Sequence, residues 1–155
     1  MLQEGVKAPS FKLVDEAGKS LDLAKFKGKC VVVYFYPKDD TSGCTAEAKD
    51  FSCLSEAFAE AGAAVIGISP DTAASHAKFK TKHELSVILG ADVDKAAAEA
   101  YGVWVEKSMY GKKYMGVERS TFLIGKDGKI ARIWRKVKVP GHAEEVLEAV
   151  KSLKK

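Results

Sequence analysis

The fold of this chain is decided by residues 30–44, which read Cys-Val-Val-Val-Tyr-Phe-Tyr-Pro-Lys-Asp-Asp-Thr-Ser-Gly-Cys. Residues 30–36 form a near-continuous β-branched and aromatic run, which is typical of a strand covered on both faces of its sheet. Residues 44–61 follow with the apolar spacing of a helix. We therefore expect Cys44 at the junction between a buried strand and the start of a helix.

This junction makes Cys44 a candidate nucleophile. The first turn of a helix has backbone N–H groups without intrahelical partners and carries the positive end of the helix dipole, and both favour a negatively charged sulfur. The thiolate is the reactive form of cysteine. In open α/β sheets reactive sites lie beyond the carboxyl ends of the strands, which is where we expect residues 37–44.

Composition and charge are ordinary for a single globular domain spanning residues 1–155. The chain is 46% hydrophobic and 30% charged, with a net charge of +4, and is long enough to bury a core. Residues 1–10 lack the apolar run of a signal peptide. The longest apolar stretch, residues 30–36, is far shorter than the roughly 20 residues of a membrane helix. We expect a cytoplasmic protein that binds neither membranes nor nucleic acid, since no nucleic-acid motif accompanies its lysines.

The order of elements predicts an α/β fold with a mixed central sheet flanked by helices. Residues 11–14 and 20–23 flank a turn and predict an N-terminal β-hairpin. Strands then alternate with helices, which favours parallel neighbours, and the Gly-containing turn 125–128 predicts a late antiparallel hairpin. The remaining expectations are strands at 63–69 and 86–89, helices at 71–84 with Asp71 as N-cap and at 92–101, an irregular segment at 103–118, and a C-terminal helix with Val146, Val150 and Leu153 on one stripe.

The three cysteines differ in their predicted surroundings. Cys30 begins the buried strand, about 20 Å from Cys44 at the rise of a strand, and is interpreted as a buried apolar residue. Helical projection places Cys53 among polar residues, where it is either a tolerated surface thiol or a partner for Cys44. Such a pairing requires the helix to unwind, because nine helical residues span roughly 13 Å and a disulfide needs α-carbons within about 7 Å.

No metal site and no cofactor are expected. The chain has no C-x-x-C pair, so neither a dithiol redox motif nor a standard zinc site is present. His76 and His83 are seven residues apart and can share one helix face, but no further ligand joins them at a useful spacing.

The pattern Pro37-x-x-x-Thr41-x-x-Cys44, after a strand that ends in Tyr-Phe-Tyr, resembles the peroxiredoxins. Residues 34–45 together with Glu47 are more narrowly similar to the PrxQ branch, also called bacterioferritin comigratory protein (BCP). The resemblance runs nearly end to end and includes residues 5–11 and 119–124. It implies a thioredoxin-like fold and a thiol-dependent peroxidase that reduces hydrogen peroxide and organic hydroperoxides.

The resemblance also implies a role for each site residue. Cys44 is the peroxidatic cysteine and becomes a sulfenic acid. Arg119 supplies a permanent charge and a planar set of donors for the sulfur and the departing oxygen. The Thr41 hydroxyl orients the peroxide, and Pro37 shields the loop from water. Two residues support these four: Gly43, which permits close backbone approach, and Glu47, which orients Arg119.

The chain departs from the PrxQ pattern where a second cysteine usually stands. Lys49 occupies one usual position of this resolving cysteine, and residues 72–84, which contain the other, hold none. Ser42 also stands where the family often has Pro. Two cycles remain open: either thioredoxin, glutaredoxin or a small thiol reduces the Cys44 sulfenic acid directly, or Cys53 acts as a displaced resolver.

Other functions fit part of the pattern. A thiol–disulfide oxidoreductase would need a second cysteine at the helix start, where residue 41 is Thr. A peroxide sensor or a holdase chaperone would keep Cys44 but would oxidise once and stop. A pure scaffold would have no specially reactive Cys44. PrxQ proteins are often monomers, so we expect a monomer.

Overall fold

A computed structural model describes residues 2–153 and contains one seven-stranded mixed sheet and one separate two-stranded hairpin. Its strands are β1 Lys12–Asp15, β2 Ser20–Asp22, β3 Cys30–Phe35, β4 Ala63–Ser69, β5 Ile88–Ala91, β6 Trp104–Met109, β7 Lys112–Val117, β8 Ser120–Ile124 and β9 Ile130–Trp134. Its α-helices are α1 Ser42–Cys53, α2 Ser55–Glu60, α3 Ala73–His83, α4 Ala96–Ala100 and α5 His142–Leu153.

The large sheet has the order β2-β1-β5-β4-β3-β8-β9. Strands β3, β4 and β5 run parallel, and antiparallel strands extend the sheet on both sides. Every residue of β3 is buried. Tyr34 packs in the cluster that includes residues of α1, α2, α3 and α5, whereas Phe35 packs in the opposite cluster with α4. The predicted mixed sheet, the N-terminal hairpin and the doubly covered strand are therefore confirmed.

The predicted helix over residues 44–61 is two helices. Helix α1 ends at Cys53, and α2 begins at Ser55. Between them the N–H of Leu54 bonds back to the carbonyls of Phe51 and Ser52, which tightens the last turn of α1. The break keeps both Phe51 and Phe58 buried against the sheet.

The prediction of an irregular segment at residues 103–118 is wrong, because β6 and β7 form a regular antiparallel hairpin there. Tyr110 and Gly111 connect the two strands, and both have positive φ angles, of 52° and 77°. Two such residues match a type I′ turn, whose twist suits a hairpin. These strands have many polar and exposed residues, so the sequence lacks the apolar alternation that predicts a strand.

Three boundaries also differ from the predictions. Helix α3 begins at Ala73, and Thr72 rather than Asp71 is its N-cap, with the Thr72 side chain accepting a hydrogen bond from the Ser75 N–H. Strand β5 covers Ile88–Ala91, two residues later in the chain than the predicted strand at 86–89. Helix α4 is shorter than 92–101, because Asp92 accepts hydrogen bonds from the N–H groups of Ala97 and Ala98 and thereby caps its start.

The C-terminal helix α5 packs as its amphipathic pattern predicts for most of its length. Val146 and Val150 are buried, but Leu153 at its end is 43% exposed. Among residues 2–153, no helix has the length and apolar character needed to span a bilayer.

Candidate active site

Cys44 lies in the first turn of α1, beyond the carboxyl end of β3. The first helical bond runs from the Thr45 N–H to the Thr41 carbonyl, so the N–H groups at the start of α1 point toward the loop that precedes it. The Cys44 side chain is 1% exposed and joins the core cluster. The sulfur is therefore shielded from bulk water while it lies at the positive end of a helix.

Arg119 connects the sulfur to a carboxylate. Its Nη2 lies 3.2 Å from Cys44 Sγ, and its Nη1 donates to Glu47 Oε1 at 2.6 Å. The residue stands between β7 and β8, and its backbone carbonyl accepts a hydrogen bond from the Val137 N–H at 3.0 Å. Burial alone would lower the pKa of Arg119, but Glu47 and Cys44 outweigh burial and raise it. The Arg119 guanidinium thus places a fixed positive charge beside the Cys44 sulfur.

Gly43 leaves room for this guanidinium. A Cβ atom at residue 43 would lie 3.3 Å from Arg119 Nη2, which is tighter than an ordinary contact between a methyl group and a nitrogen. The glycine is therefore explained by close approach of the arginine, because its φ angle is not positive.

Glu47 is buried one helical turn after Cys44, where it contacts Arg119. Burial raises the pKa of the Glu47 carboxyl to about 7, against the opposing effect of Arg119. Its second oxygen, Oε2, has no hydrogen-bond partner among the described residues. Glu47 is therefore held by a single arginine contact and titrates near neutrality.

Thr41 and Pro37 lie on the loop that covers this turn of helix. The Thr41 hydroxyl donates to the Lys38 carbonyl at 2.9 Å and makes no capping bond to α1. The single hydroxyl proton of Thr41 is used in the bond to Lys38. The oxygen lone pairs therefore remain available to accept a hydrogen bond from a bound molecule. Pro37 is half-buried and directly follows Tyr36, whose N–H is bonded to β4.

Comparisons with known proteins establish the family of this chain. A model of the AhpC/TSA family matches residues 5–133. Peroxiredoxin Bcp of Bacillus subtilis (strain 168) is 49% identical over 152 residues, which cover 98% of this chain and 97% of that protein. The chain belongs to the AhpC/TSA family, in its Bcp/PrxQ branch.

Solved structures of PrxQ proteins have the same fold as this peroxiredoxin. Xanthomonas campestris peroxiredoxin Q superposes with a TM-score of 0.93 at 42% identity, over 98% of this chain and 99% of that one. A cysteine-to-serine variant of Xylella fastidiosa PrxQ superposes with a TM-score of 0.95 at 36% identity, over 100% and 99% of the two chains. The thioredoxin-like fold and the thiol peroxidase activity implied by the sequence are therefore confirmed.

The three cysteines of this peroxiredoxin stand apart in the structure. Cys30 is buried at the start of β3, at the opposite end of the strand from the reactive loop. Cys53 is exposed and is the last residue of α1. Both placements agree with the helical projection and the strand pattern. Cys44 and Cys53 are separated by nearly the whole length of α1.

Two groups of residues near the site were missed in the sequence. Asp39 and Asp40 lie within the quoted loop and contact α3, where His76 and His83 share one helix face. The seven-residue spacing of the two histidines was the available signal, but it was considered only for metal binding. The other is Lys107 of the unpredicted β6–β7 hairpin, whose pKa is lowered by burial and by Arg119, against the opposing effects of Glu118 and Cys44.

Asp39, Asp71 and His76 also have the spacing of a possible metal site, with ligand atoms within 4.8 Å of one another. Bonds within the protein already occupy these atoms. Asp71 Oδ2 accepts from the Ser69 hydroxyl at 2.6 Å and from the Asp39 N–H at 2.8 Å. The donor set is therefore explained as a hydrogen-bonded network.

Proposed function

We propose that this peroxidase uses Cys44 as its peroxidatic cysteine, with Arg119, Thr41 and Pro37 completing the site. The observation that carries the proposal is the contact of 3.2 Å between Arg119 Nη2 and the buried Cys44 sulfur. A fixed guanidinium favours the thiolate, which is the nucleophile. The sensor and holdase functions are not favoured, because the relatives are peroxiredoxins by name.

The first chemical step oxidises Cys44 and reduces the peroxide. The thiolate attacks the terminal oxygen of R–O–OH, an S–O bond forms as the O–O bond breaks, and the sulfur becomes a sulfenic acid. The leaving RO⁻ takes up a proton and departs as water or an alcohol. Arg119 stabilises the negative charge that develops on the leaving oxygen.

The loop positions the substrate for this attack. The lone pairs of Thr41 Oγ1 accept the hydrogen bond of the peroxide O–H, and the free N–H groups at the start of α1 donate to its oxygens. Gly43 leaves room for Arg119 to approach the Cys44 sulfur. Glu47 accepts a hydrogen bond from Nη1 of the same guanidinium. Pro37 offers no N–H and limits the access of water.

We propose that the second half of the cycle uses one cysteine. An external thiol attacks the Cys44 sulfenic acid, releasing water and leaving a mixed disulfide, which a second thiol reduces. The separation of Cys44 and Cys53 at the two ends of α1 supports this route over an internal disulfide. Thioredoxin, glutaredoxin or a small thiol is the proposed reductant. The enzyme is proposed to work as a single-domain monomer in the cytoplasm.

Hydrogen peroxide and organic hydroperoxides are the proposed substrates. Alkyl peroxide reduction is described for the Xanthomonas campestris bacterioferritin comigratory protein, which is 41% identical to this chain. The exposure of Thr41 supports access for an alkyl group.

Turnover of peroxide tests the proposal directly. The wild type should consume hydrogen peroxide and tert-butyl hydroperoxide repeatedly with dithiothreitol or a thioredoxin system, and Cys44→Ser should lose this activity. Oxidation that stops after one equivalent would instead support a sensor. Intact mass after one equivalent of peroxide then separates the two cycles, because an internal 44–53 disulfide loses two hydrogens whereas a sulfenic acid gains one oxygen.

A further inference from the structure

A buried network of hydrogen-bonding side chains joins α3 to the loop that precedes α1. Asp39 belongs to the loop but is only 8% exposed. Its Oδ1 accepts a hydrogen bond from the Tyr36 hydroxyl at 2.6 Å, and its Oδ2 accepts one from the Ser75 hydroxyl at 2.8 Å. The same Oδ2 lies 2.7 Å from His76 Nδ1. The Asp39 side chain therefore contacts Tyr36, directly after β3, and both Ser75 and His76 of α3.

His76 is completely buried, and each of its ring nitrogens has a hydrogen-bond partner. Its Nε2 lies 3.0 Å from the Gly90 carbonyl oxygen, which can only accept, so Nε2 carries a hydrogen. Its Nδ1 lies 2.7 Å from Asp39 Oδ2 and 3.4 Å from the Tyr36 hydroxyl. The ring is therefore held at both nitrogens, between the Gly90 carbonyl and the Asp39 side chain.

The next residue of the loop is fastened to the same helix. Asp40 has a φ angle of 62°, in the left-handed region that a non-glycine residue rarely adopts. Its two carboxylate oxygens lie 2.7 Å from Lys82 Nζ and 2.7 Å from His83 Nε2. Such a backbone conformation persists where its surroundings fix it. Two consecutive loop residues are thus tied to α3, the helix that lacks the second cysteine of other PrxQ proteins.

We propose that His76 is a positioning residue of the peroxidase site: through Asp39 it fixes the loop that presents Thr41 to the peroxide. The inference rests on the proposed function, because Thr41 has this role only if Cys44 reacts with peroxide. Asp39 precedes Thr41 by two residues, so movement of Asp39 displaces the Thr41 hydroxyl. Cys44 is held within α1, and Arg119 is held by its position before β8 and by the bond from Val137. We therefore expect both to keep their places when the loop moves.

The positioning role predicts that two reactions of Cys44 respond differently to His76→Leu. Oxidation of Cys44 by hydrogen peroxide needs Thr41, and its second-order rate constant should fall by about tenfold to a hundredfold, as expected when a positioning group is displaced by roughly 1 Å. Alkylation of Cys44 by iodoacetamide needs the sulfur but not Thr41. Its rate should stay within about twofold of wild type or should rise as the loop loosens.

Matched variants keep this test independent of general damage to the fold. Lys80→Met alters the same helix at an ion pair with Glu16, away from the loop, and should leave both rates unchanged. Because His76→Leu leaves the buried Asp39 side chain without one of its hydrogen-bond partners and can unfold the protein, Asp39→Asn and Ser75→Ala are measured beside it. Both should lower oxidation relative to alkylation, and by less than His76→Leu.

The outcomes separate the two proposals. Equal losses of oxidation and alkylation, or unchanged oxidation in all three loop-network variants, would overturn the positioning role of His76. Slow, Cys44-independent oxidation of the wild type would instead contradict the proposed function, whatever the variants do.

Discussion

The two ends of α1 carry the same chemical group in opposite surroundings. Cys44 in its first turn is buried against Arg119, with Glu47 behind the arginine. Cys53 at its last residue is exposed to solvent. The first turn of a helix carries the positive end of its dipole and the last turn carries the negative end, so the dipole favours a negative sulfur only at Cys44. We therefore expect the reactivity of a thiol in this protein to depend on its place along α1.

The two cysteines also differ in the structural elements that surround them. Three elements meet at Cys44, namely the loop after β3, the start of α1 and the residue before β8. Cys53 is exposed and stands where α1 breaks at Leu54. Substitutions at the Cys44 end should therefore affect the reaction in proportion to their contact with the sulfur, and substitutions at the Cys53 end should not affect it.

The largest effect is expected from Arg119→Met. This change removes the donor at 3.2 Å from the sulfur and leaves Glu47 without its partner. Loss of one such donor to a developing negative charge costs about 10²–10³-fold in rate, so kcat/KM for hydrogen peroxide should fall by that factor. Arg132→Met is the matched control, because Arg132 lies over the Trp134 ring on β9, and a comparable loss there would contradict the specific role of Arg119.

Glu47→Gln should change how stability depends on pH. The pKa of Glu47 is raised from 4.5 to about 7 in the folded protein, chiefly by burial. A raised carboxyl pKa adds stability that is complete below pH 4.5 and is lost as the pH rises through about 7. The wild type should therefore lose up to about 3 kcal/mol relative to the variant across this range.

Urea unfolding at pH 5 and at pH 8 measures this difference. The pKa of His142, which burial lowers to about 4, affects both proteins alike and cancels from the comparison. The exposed Glu148 on α5 provides the control Glu148→Gln, which should parallel the wild type at both pH values. A Glu47→Gln variant that also parallels the wild type would show that Glu47 is ionised throughout.

Gly43→Ala should have a smaller effect. The added methyl group meets Arg119 Nη2 at 3.3 Å, so the guanidinium must shift by a few tenths of an ångström from the sulfur. We expect about a threefold to tenfold loss in the rate of Cys44 oxidation, or roughly 1 kcal/mol. Gly125→Ala, which crowds the Asp127 side chain at 3.1 Å in a distant turn, should leave the rate unchanged, and an equal loss there would point to folding instead.

The smallest effect is expected from Cys53→Ser. If one cysteine suffices, both Cys44 oxidation and steady-state turnover with dithiothreitol should stay within about twofold of the wild type. Turnover that disappears while the first oxidation step survives would show that α1 unwinds and that Cys53 resolves Cys44.

Much of this site could be predicted from the sequence because its parts lie close together in the chain. The strand–loop–helix order placed Cys44, and the helical period placed Glu47 one turn later. Arg119 was found only through the family resemblance, since its contact with Cys44 depends on the antiparallel pairing of β8 with β3. Arg119 is 75 residues from Cys44, and the period of a single strand or helix does not identify a contact between residues so far apart in the chain.

The missed features have related physical causes. The β6–β7 hairpin has few buried residues, so its alternation of apolar and polar residues is weak, and its turn contains Tyr110 at a positive φ angle. The ties between Asp39 and His76 join residues 37 positions apart, and either residue alone would be taken for a common surface charge. Asp71 was wrongly taken as an N-cap because its carboxylate serves Asp39 and Ser69 instead.

Competition between the two ends of α1 for a limited amount of peroxide is the decisive measurement. The reduced wild type receives less than one equivalent of hydrogen peroxide in the presence of dimedone, which traps sulfenic acids, and peptides containing Cys44 and Cys53 are quantified by mass spectrometry. The surroundings of the two sulfurs predict dimedone on Cys44 and an unmodified Cys53. Equal labelling of both cysteines, or labelling of Cys53 first, would contradict the assignment of Cys44 as the peroxidatic residue.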